Sequence, residues 1–196
     1  MPELNQPLID FIKELSVSGK EVAKNYYNAD GFCVHHNVDL WRIPTPSKGN
    51  PVWSFWPMAG AWFCRHLYEQ YEYTCDKQFL KETALPIMES AARFCLDLLI
   101  EDKDGYLIFA PSTSPENEYK IGREDCSVSE TTYMTMGIIR DLFLNTIKAS
   151  DILGIESDTI NEIKAKYDKL LPYRTGSRGQ LLEWYKDEVG FDQHHR

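Results

Sequence analysis

The segment Ala110-Pro-Ser-Thr-Ser-Pro-Glu116-Asn117 holds one carboxyl group at the end of a hydroxyl-rich loop stiffened by two prolines. A carboxyl group carried on a loop between regular elements is placed by the scaffold beneath it, as proton donation to one particular oxygen requires. Such an acid works only if burial or a nearby negative charge keeps it protonated, and Glu118 is close enough in sequence to supply that charge. By residue type alone Glu116 is a solvated surface glutamate. Pro111, Pro115 and the hydroxyls of Ser112, Thr113 and Ser114 turn the reading to a catalytic acid, with Asn117 beside it as a substrate-binding amide.

A second constellation is His35-His36-Asn37-Val38-Asp39-Leu40-Trp41. Adjacent imidazoles bind metals, but no third ligand stands at a metal-site spacing, so no metal and no cofactor are expected. The ordinary reading is a loop tied down by its own Asn and Asp hydrogen bonds. Together with Phe55-Trp56-Pro-Met-Ala-Gly-Ala-Trp62, however, the loop offers hydrogen-bonding groups at one edge and flat rings at the other. That combination suits a sugar, and His36, Asn37, Trp56 and Trp62 are the candidate binding residues. Trp53, Trp56 and Trp62, crowded into ten residues, fit either ordinary core filling or a sugar-stacking surface, and for a lone Trp the core reading wins. Glu116 and Trp56 are expected to share one pocket. Two further groups are weaker: Glu183-Trp184 is ordinary at a core edge, and His194-His-Arg196 is ordinary at a chain end.

The elements that position these residues read as helices. Apolar residues at Leu8, Phe11, Ile12, Leu15, Val22, Ala23 and Tyr26 predict a helix over 7–27. Residues 30–55, broken by Pro44, Pro46, Gly49 and Pro51, predict a long irregular connection. A helix over about 57–73 follows, in which Gly60 implies close packing because glycine there costs about 1 kcal/mol relative to alanine. Asp76 is a candidate cap for the next helix, which Pro86 is expected to kink. A short strand at 106–109 precedes the Glu116 loop. Helices over about 130–153 and 158–171 complete the pattern, the first stopped by Gly154. The junctions Tyr73-Thr-Cys-Asp76 and Ile155-Glu-Ser-Asp158 look alike, so helical hairpins repeat, as in solenoids and toroids. About five helices are too few to close such a ring, which predicts one partial all-α domain over 1–196, truncated at both ends.

Composition narrows the classes. A chain of 196 residues with 43% hydrophobic and 26% charged residues is globular. No apolar run approaches the roughly 20 residues that span a bilayer, so no membrane partner is expected. The formal charge of −9, with lysines and arginines scattered, disfavours nucleic acid. Five cysteines without a Cys-x-x-Cys pair argue against a disulfide framework, and Cys64 and Cys95 fall in apolar helical patterns as core thiols. A reducing, cytoplasmic setting is the corresponding expectation, since the N-terminus has no signal-like stretch.

Taken in order, Val34-His-His-Asn-Val-Asp-Leu-Trp41, Trp56-Pro-Met-Ala-Gly-Ala-Trp62, Tyr73-Thr-Cys-Asp-Lys-Gln-Phe-Leu80, Ala110 to Asn117, Ile138-Ile-Arg-Asp-Leu-Phe143 and Leu181-Leu-Glu-Trp184 resemble the catalytic domain of glycoside hydrolase family 95, the inverting alpha-L-fucosidases. The resemblance implies an (alpha/alpha)6 toroid and hydrolysis of terminal L-fucose, often alpha-1,2-linked to galactose, on a fucosylated glycan. Some members act on alpha-L-galactosides. It assigns Glu116 as general acid, places Trp56, His36 and Asn37 in the sugar pocket, and matches Arg196 to the first residue of an Arg-His-x-Ser-His segment of that pocket. The position usually occupied by Asp before Ile-Ile-Arg is Thr135 here. The family's water-activating asparagine and its supporting aspartate fall outside 1–196, so the isolated chain is expected to hydrolyse nothing measurable.

Two other classes fit parts of the pattern. A polysaccharide lyase on a similar toroid would use His36 or Tyr119 as base and Asn37 to neutralise a uronate. A non-catalytic helical carbohydrate-binding or interaction module would bury Trp56, Trp62 and Glu116 as packing.

Overall fold

The computed structural model describes residues 2–186. Helix α1 (Gln6–Tyr27) carries Pro7 in its first turn and ends at Asn28, whose left-handed backbone returns its N–H to the carbonyls of Ala23 and Lys24. The predicted stripe is buried at Ile9, Ile12, Leu15, Val22 and Ala23. Residues 30–55 are irregular apart from one turn, α2 (Pro51–Ser54), capped by the Asn50 side chain.

Helix α3 (Ala59–Thr74) begins two residues later than the pattern predicts, because Ala59 N–H is bound to the Val34 carbonyl at 3.1 Å. The packing reason for Gly60 is the Phe32 ring, which a Cβ there would approach to 2.8 Å. Gly19 of α1 does the same for the Cys33 carbonyl, at 2.7 Å. Two glycines on facing helices thus hold the Phe32-Cys33 strand that runs into the His35-His36 loop.

Asp76 accepts from the N–H groups of Gln78 and Phe79, as a cap should. The helix it starts is not simply kinked at Pro86. A short α4 (Lys77–Phe79) passes through a π-helical turn (Leu80–Ala84) into α5 (Leu85–Leu98), and Pro86 directly follows that turn, where the ordinary hydrogen-bond register is already interrupted.

The all-α expectation is corrected by three two-stranded antiparallel ladders. β1 (Leu99–Glu101) pairs with β2 (Leu107–Phe109), Ile100 opposite Ile108. β3 (Ser112–Thr113) pairs with β6 (Val128–Ser129), and β4 (Tyr119–Ile121) with β5 (Glu124–Cys126). Strands of this length are too short to display a period of two in the sequence, so only the apolar β2 was legible. The chain is mostly helical with small sheets.

Helix α6 (Tyr133–Leu153) starts three residues after the predicted Glu130, because Thr131 and Thr132 are extended and pair with residues 183–185. Gly154 ends it as expected. Helix α7 (Asp158–Lys166), capped by Ser157, gives way to a tighter turn before the predicted end at Leu171. Leu170 and Leu171 are instead extended, with both carbonyls accepting from Arg140 Nη2 at 2.5 and 2.9 Å. α6 packs on α3, α5 and α7 around a core that includes Ile12, Leu67, Met88, Phe143 and Ile160. Cys64 and Cys95 are buried free thiols in this core, and burial pushes both pKa values up.

Gly31 and Gly154 both have positive φ, but only Gly31 faces backbone: a Cβ there would lie 2.1 Å from the Ser90 carbonyl oxygen, whereas nothing lies within 4 Å at Gly154. Gly154→Ala should therefore cost about 1 kcal/mol for the left-handed backbone alone, and Gly31→Ala about 3 kcal/mol or more. Urea unfolding followed by Trp fluorescence tests this; equal losses at the two sites would refute the packing account.

Candidate active site

The Glu116 loop is anchored first through hydroxyls. Ser112 Oγ lies 3.2 Å from Thr132 Oγ1 and 2.8 Å from Thr135 Oγ1, and Thr132 and Thr135 are 3.0 Å apart, all three buried. Thr132 Oγ1 also accepts from Thr135 N–H and so caps α6. Thr113 Oγ1 donates to the Phe55 carbonyl at 2.5 Å, tying the loop to the segment that carries Trp56. The Ala110–Pro111 and Pro115–Glu116 peptide bonds are cis.

The tip is a closed turn. Asn117 N–H donates to the Ser114 carbonyl at 2.8 Å, and Asn117 Oδ1 accepts from Glu118 N–H at 2.9 Å. Ser114 Oγ and Asn117 Nδ2 both donate to Glu183 Oε1, at 2.9 and 2.7 Å. Asn117 is 1% exposed, so its side chain serves the loop's interior and not, as the sequence suggests, its open face. Glu116 itself is exposed. The burial offered as one of two expectations for this carboxyl group is absent among residues 2–186.

The His35 ring is structural: Nδ1 meets the Pro44 carbonyl at 2.9 Å and Nε2 meets Tyr27 Oη at 2.6 Å. His36 differs. Its two nitrogens are shielded and have no hydrogen-bond partner among the described residues, and its ring stands edge-on to Trp56 with centroids 5.9 Å apart. Burial pushes the His36 pKa down, while the Glu116 carboxylate is near enough to pull it back up. Asn37 and Asp39 follow the ordinary reading: Asn37 Nδ2 donates to Ser47 Oγ and the Trp53 carbonyl, and Asp39 Oδ1 accepts from Trp41 and Ile43 N–H. Asn37 is exposed, with its donors engaged by its own loop.

Trp56 is 1% exposed and Trp62 50%, their rings edge-on at 5.9 Å. The outer ring therefore rests on the inner one. Trp62 lines a cleft of about 960 Å³, together with Arg65 of α3, Met134 and Asp141 of α6, and Pro115 and Glu183. His36, Trp56 and Trp62 stand ring against ring and the Glu116 carboxylate is felt at His36. Of these four only Trp62 lines the cleft, which Glu116 borders through its neighbour Pro115, and Asn37 and Asn117 are engaged within their own loops. Arg196 lies outside the described residues. Tyr119, the alternative base, is 5% exposed, donates to the Val128 carbonyl at 2.7 Å and packs on Trp184; it is a packing residue. Glu183, which the sequence reading passes over as ordinary, holds the Glu116 loop; only the motif Leu181-Leu-Glu-Trp184 pointed to it.

A mostly helical scaffold with small sheets, a cleft lined by an aromatic ring and a carboxyl-bearing loop at its edge is consistent with a glycosidase helical domain. The model of the glycosyl hydrolase family 95 catalytic domain matches residues 1–196, and the chain belongs to that family. It is similar to Alpha-L-fucosidase 2 of Arabidopsis thaliana, 41% identical over 197 residues, covering 99% of this chain and 23% of the relative. It is also similar to Probable alpha-fucosidase A of Aspergillus niger, 30% identical over 200 residues, covering 98% of this chain and 25% of the relative. The chain spans about a quarter of the length of the curated relatives it matches.

Burial lowers the pKa values of both His35 and His36 in the folded chain. The unfolded chain therefore binds more protons below about pH 6.5, and stability should fall as the pH drops from there toward the folded-state values. In a histidine NMR titration, Glu116→Gln should shift the His36 midpoint further down, since the favourable carboxylate is gone. An unmoved His36 midpoint would separate the two residues.

Proposed function

We propose that residues 1–196 form part of an (alpha/alpha)6 catalytic domain that hydrolyses terminal alpha-L-fucosyl linkages of glycans with inversion, Glu116 being the general acid. The observation that carries this reading is the placement of the Glu116 carboxylate beside His36, at a loop that shares a cleft with the half-exposed Trp62. Family membership and the names of the two relatives support the substrate class.

In this reading Glu116 protonates the departing glycosidic oxygen. An exposed position in residues 2–186 leaves its carboxyl accessible to a sugar, and the covering surface comes from the substrate and from the remainder of the toroid. His36 stands edge-on to Trp56 with uncommitted ring nitrogens, suited to a hydroxyl of the sugar; Trp62 offers a face for its apolar side. Inversion needs a water activator on the opposite side of the bond, about 6.5–9.5 Å from the acid. The resemblance places that group beyond this segment, so the 196-residue chain alone should release no fucose.

The lyase reading is weakened by Tyr119, whose hydroxyl is engaged inside the loop. The binding-module reading is weakened by the exposure of Trp62 and Glu116.

The test uses a polypeptide of the relatives' length containing these residues, with an alpha-1,2-fucosylated galactoside as substrate. Free fucose should appear first as the beta anomer by NMR, and Glu116→Gln should lower kcat by about 10²–10⁴-fold, the usual contribution of a general acid. An ultraviolet-absorbing unsaturated product, or undiminished turnover by the variant, would overturn the proposal.

A further inference from the structure

We infer that Glu183 is a positioning residue for proton donation: it fixes the turn that carries Glu116, without touching the sugar itself. The inference rests on Glu116 being the general acid. One oxygen, Glu183 Oε1, accepts from Ser114 Oγ at 2.9 Å and from Asn117 Nδ2 at 2.7 Å, the residues that bracket Pro115-Glu116. The same two residues are joined through Asn117 N–H and the Ser114 carbonyl at 2.8 Å. The turn is therefore closed by its backbone and clamped from below by a carboxyl group, and hydrogen bonds to a charged acceptor are the stronger kind.

Glu183 is itself immobilised. Its carbonyl accepts from Tyr133 N–H at 3.0 Å, and Tyr185 N–H donates to the Thr131 carbonyl at 3.2 Å, so residues 183–185 are laid against the start of α6. Between them Trp184 is fully buried and its ring packs on Tyr119 at 4.7 Å, on the far side of the loop. The Glu116 turn is thus referenced to the α6 N-terminus twice: through Ser112, Thr132 and Thr135 ahead of it, and through Glu183 beneath it. Glu183 is half-buried beside the cleft, outside the apolar core, so its removal frees the turn while the helices stay packed. Misplacement of a catalytic group by about 1 Å costs on the order of 10²-fold in rate.

Leaving-group dependence separates this role from a merely structural one. An alpha-1,2-fucosylated galactoside needs its departing oxygen protonated, whereas alpha-L-fucosyl fluoride expels fluoride without an acid. In the polypeptide of the relatives' length, Glu183→Ala should lower kcat on the galactoside by about 10²-fold, with KM on both substrates and kcat on the fluoride held within about threefold. Glu183→Gln keeps a carbonyl acceptor and should recover most of the loss. Glu116→Ala is the control. If it too loses only the galactoside while Glu183→Ala loses both substrates equally, or neither, the positioning role is overturned. If Glu116→Ala shows no such split, the general-acid assignment fails and this inference falls with it. Should Glu183→Ala not fold, Ser114→Ala combined with Asn117→Ala removes the same hydrogen bonds from the loop side; the same split is expected, and equal loss on both substrates overturns the role.

Discussion

Thr132 is the junction on which the arrangement of the site depends. Its hydroxyl caps α6 by accepting from Thr135 N–H and meets Ser112 Oγ at the base of the Glu116 loop, while its backbone bridges to Trp184. One residue therefore sets the start of the helix, the entry of the loop and the seat of the segment that carries Glu183. All three hydroxyls of the Ser112, Thr132 and Thr135 triangle are buried, and buried polar groups are stable only while each keeps a partner. That requirement leaves the loop few alternative paths. Thr135 supplies a neutral hydroxyl to this triangle, which burial tolerates more readily than an isolated charge.

The other half of the site is placed by close packing. Gly19 and Gly60 let α1 and α3 approach Phe32 and Cys33, with Cys33 N–H bound to the Gly19 carbonyl at 3.1 Å. The chain leaves this clamp as the His35-His36 loop, and His35 fixes its exit between Tyr27 and Pro44. Two adjacent histidines thus divide the work: one is a strut, the other is presented beside Trp56 and Glu116.

Long helices were legible because their apolar stripes repeat over several turns: α1, α3 and α6 lie within three residues of the predicted limits, while the helix after Asp76 is broken by a π turn before α5 and α7 stops short of Leu171. What moved the limits was tertiary: the pairing of Thr131 and Thr132 with residues 183–185 delays α6, and the hold of Arg140 on the Leu170 and Leu171 carbonyls draws those residues out of helix. The two- and three-residue strands of β3 to β6 were not legible, since so few residues carry no period. Of the candidate site, Glu116 and the rings stand in short contiguous motifs, which is what made them legible as candidates. Glu183 was not, because its partners Ser114 and Asn117 lie 69 and 66 residues away and nothing local marks the pairing. What the sequence does not show for Asn37 and Asn117 is that hydrogen bonds within the protein already engage their side-chain amides.

Glu116 and Glu183 show how two carboxyl groups on neighbouring segments take different tasks from their surroundings. Glu183 faces two donors of the turn and spends an oxygen on them; Glu116 points away from the same turn and is exposed. A single acid on a mobile loop would wander over several ångströms, whereas a turn closed between Ser114 and Asn117 and clamped at Glu183 restricts it to one direction. Orientation of this kind is established before any substrate arrives, so its entropic cost falls on folding and not on the reaction. The apolar core of the helices meets that cost, and the hydroxyl and carboxyl contacts at the α6 N-terminus transmit the core's rigidity to one exposed carboxyl group.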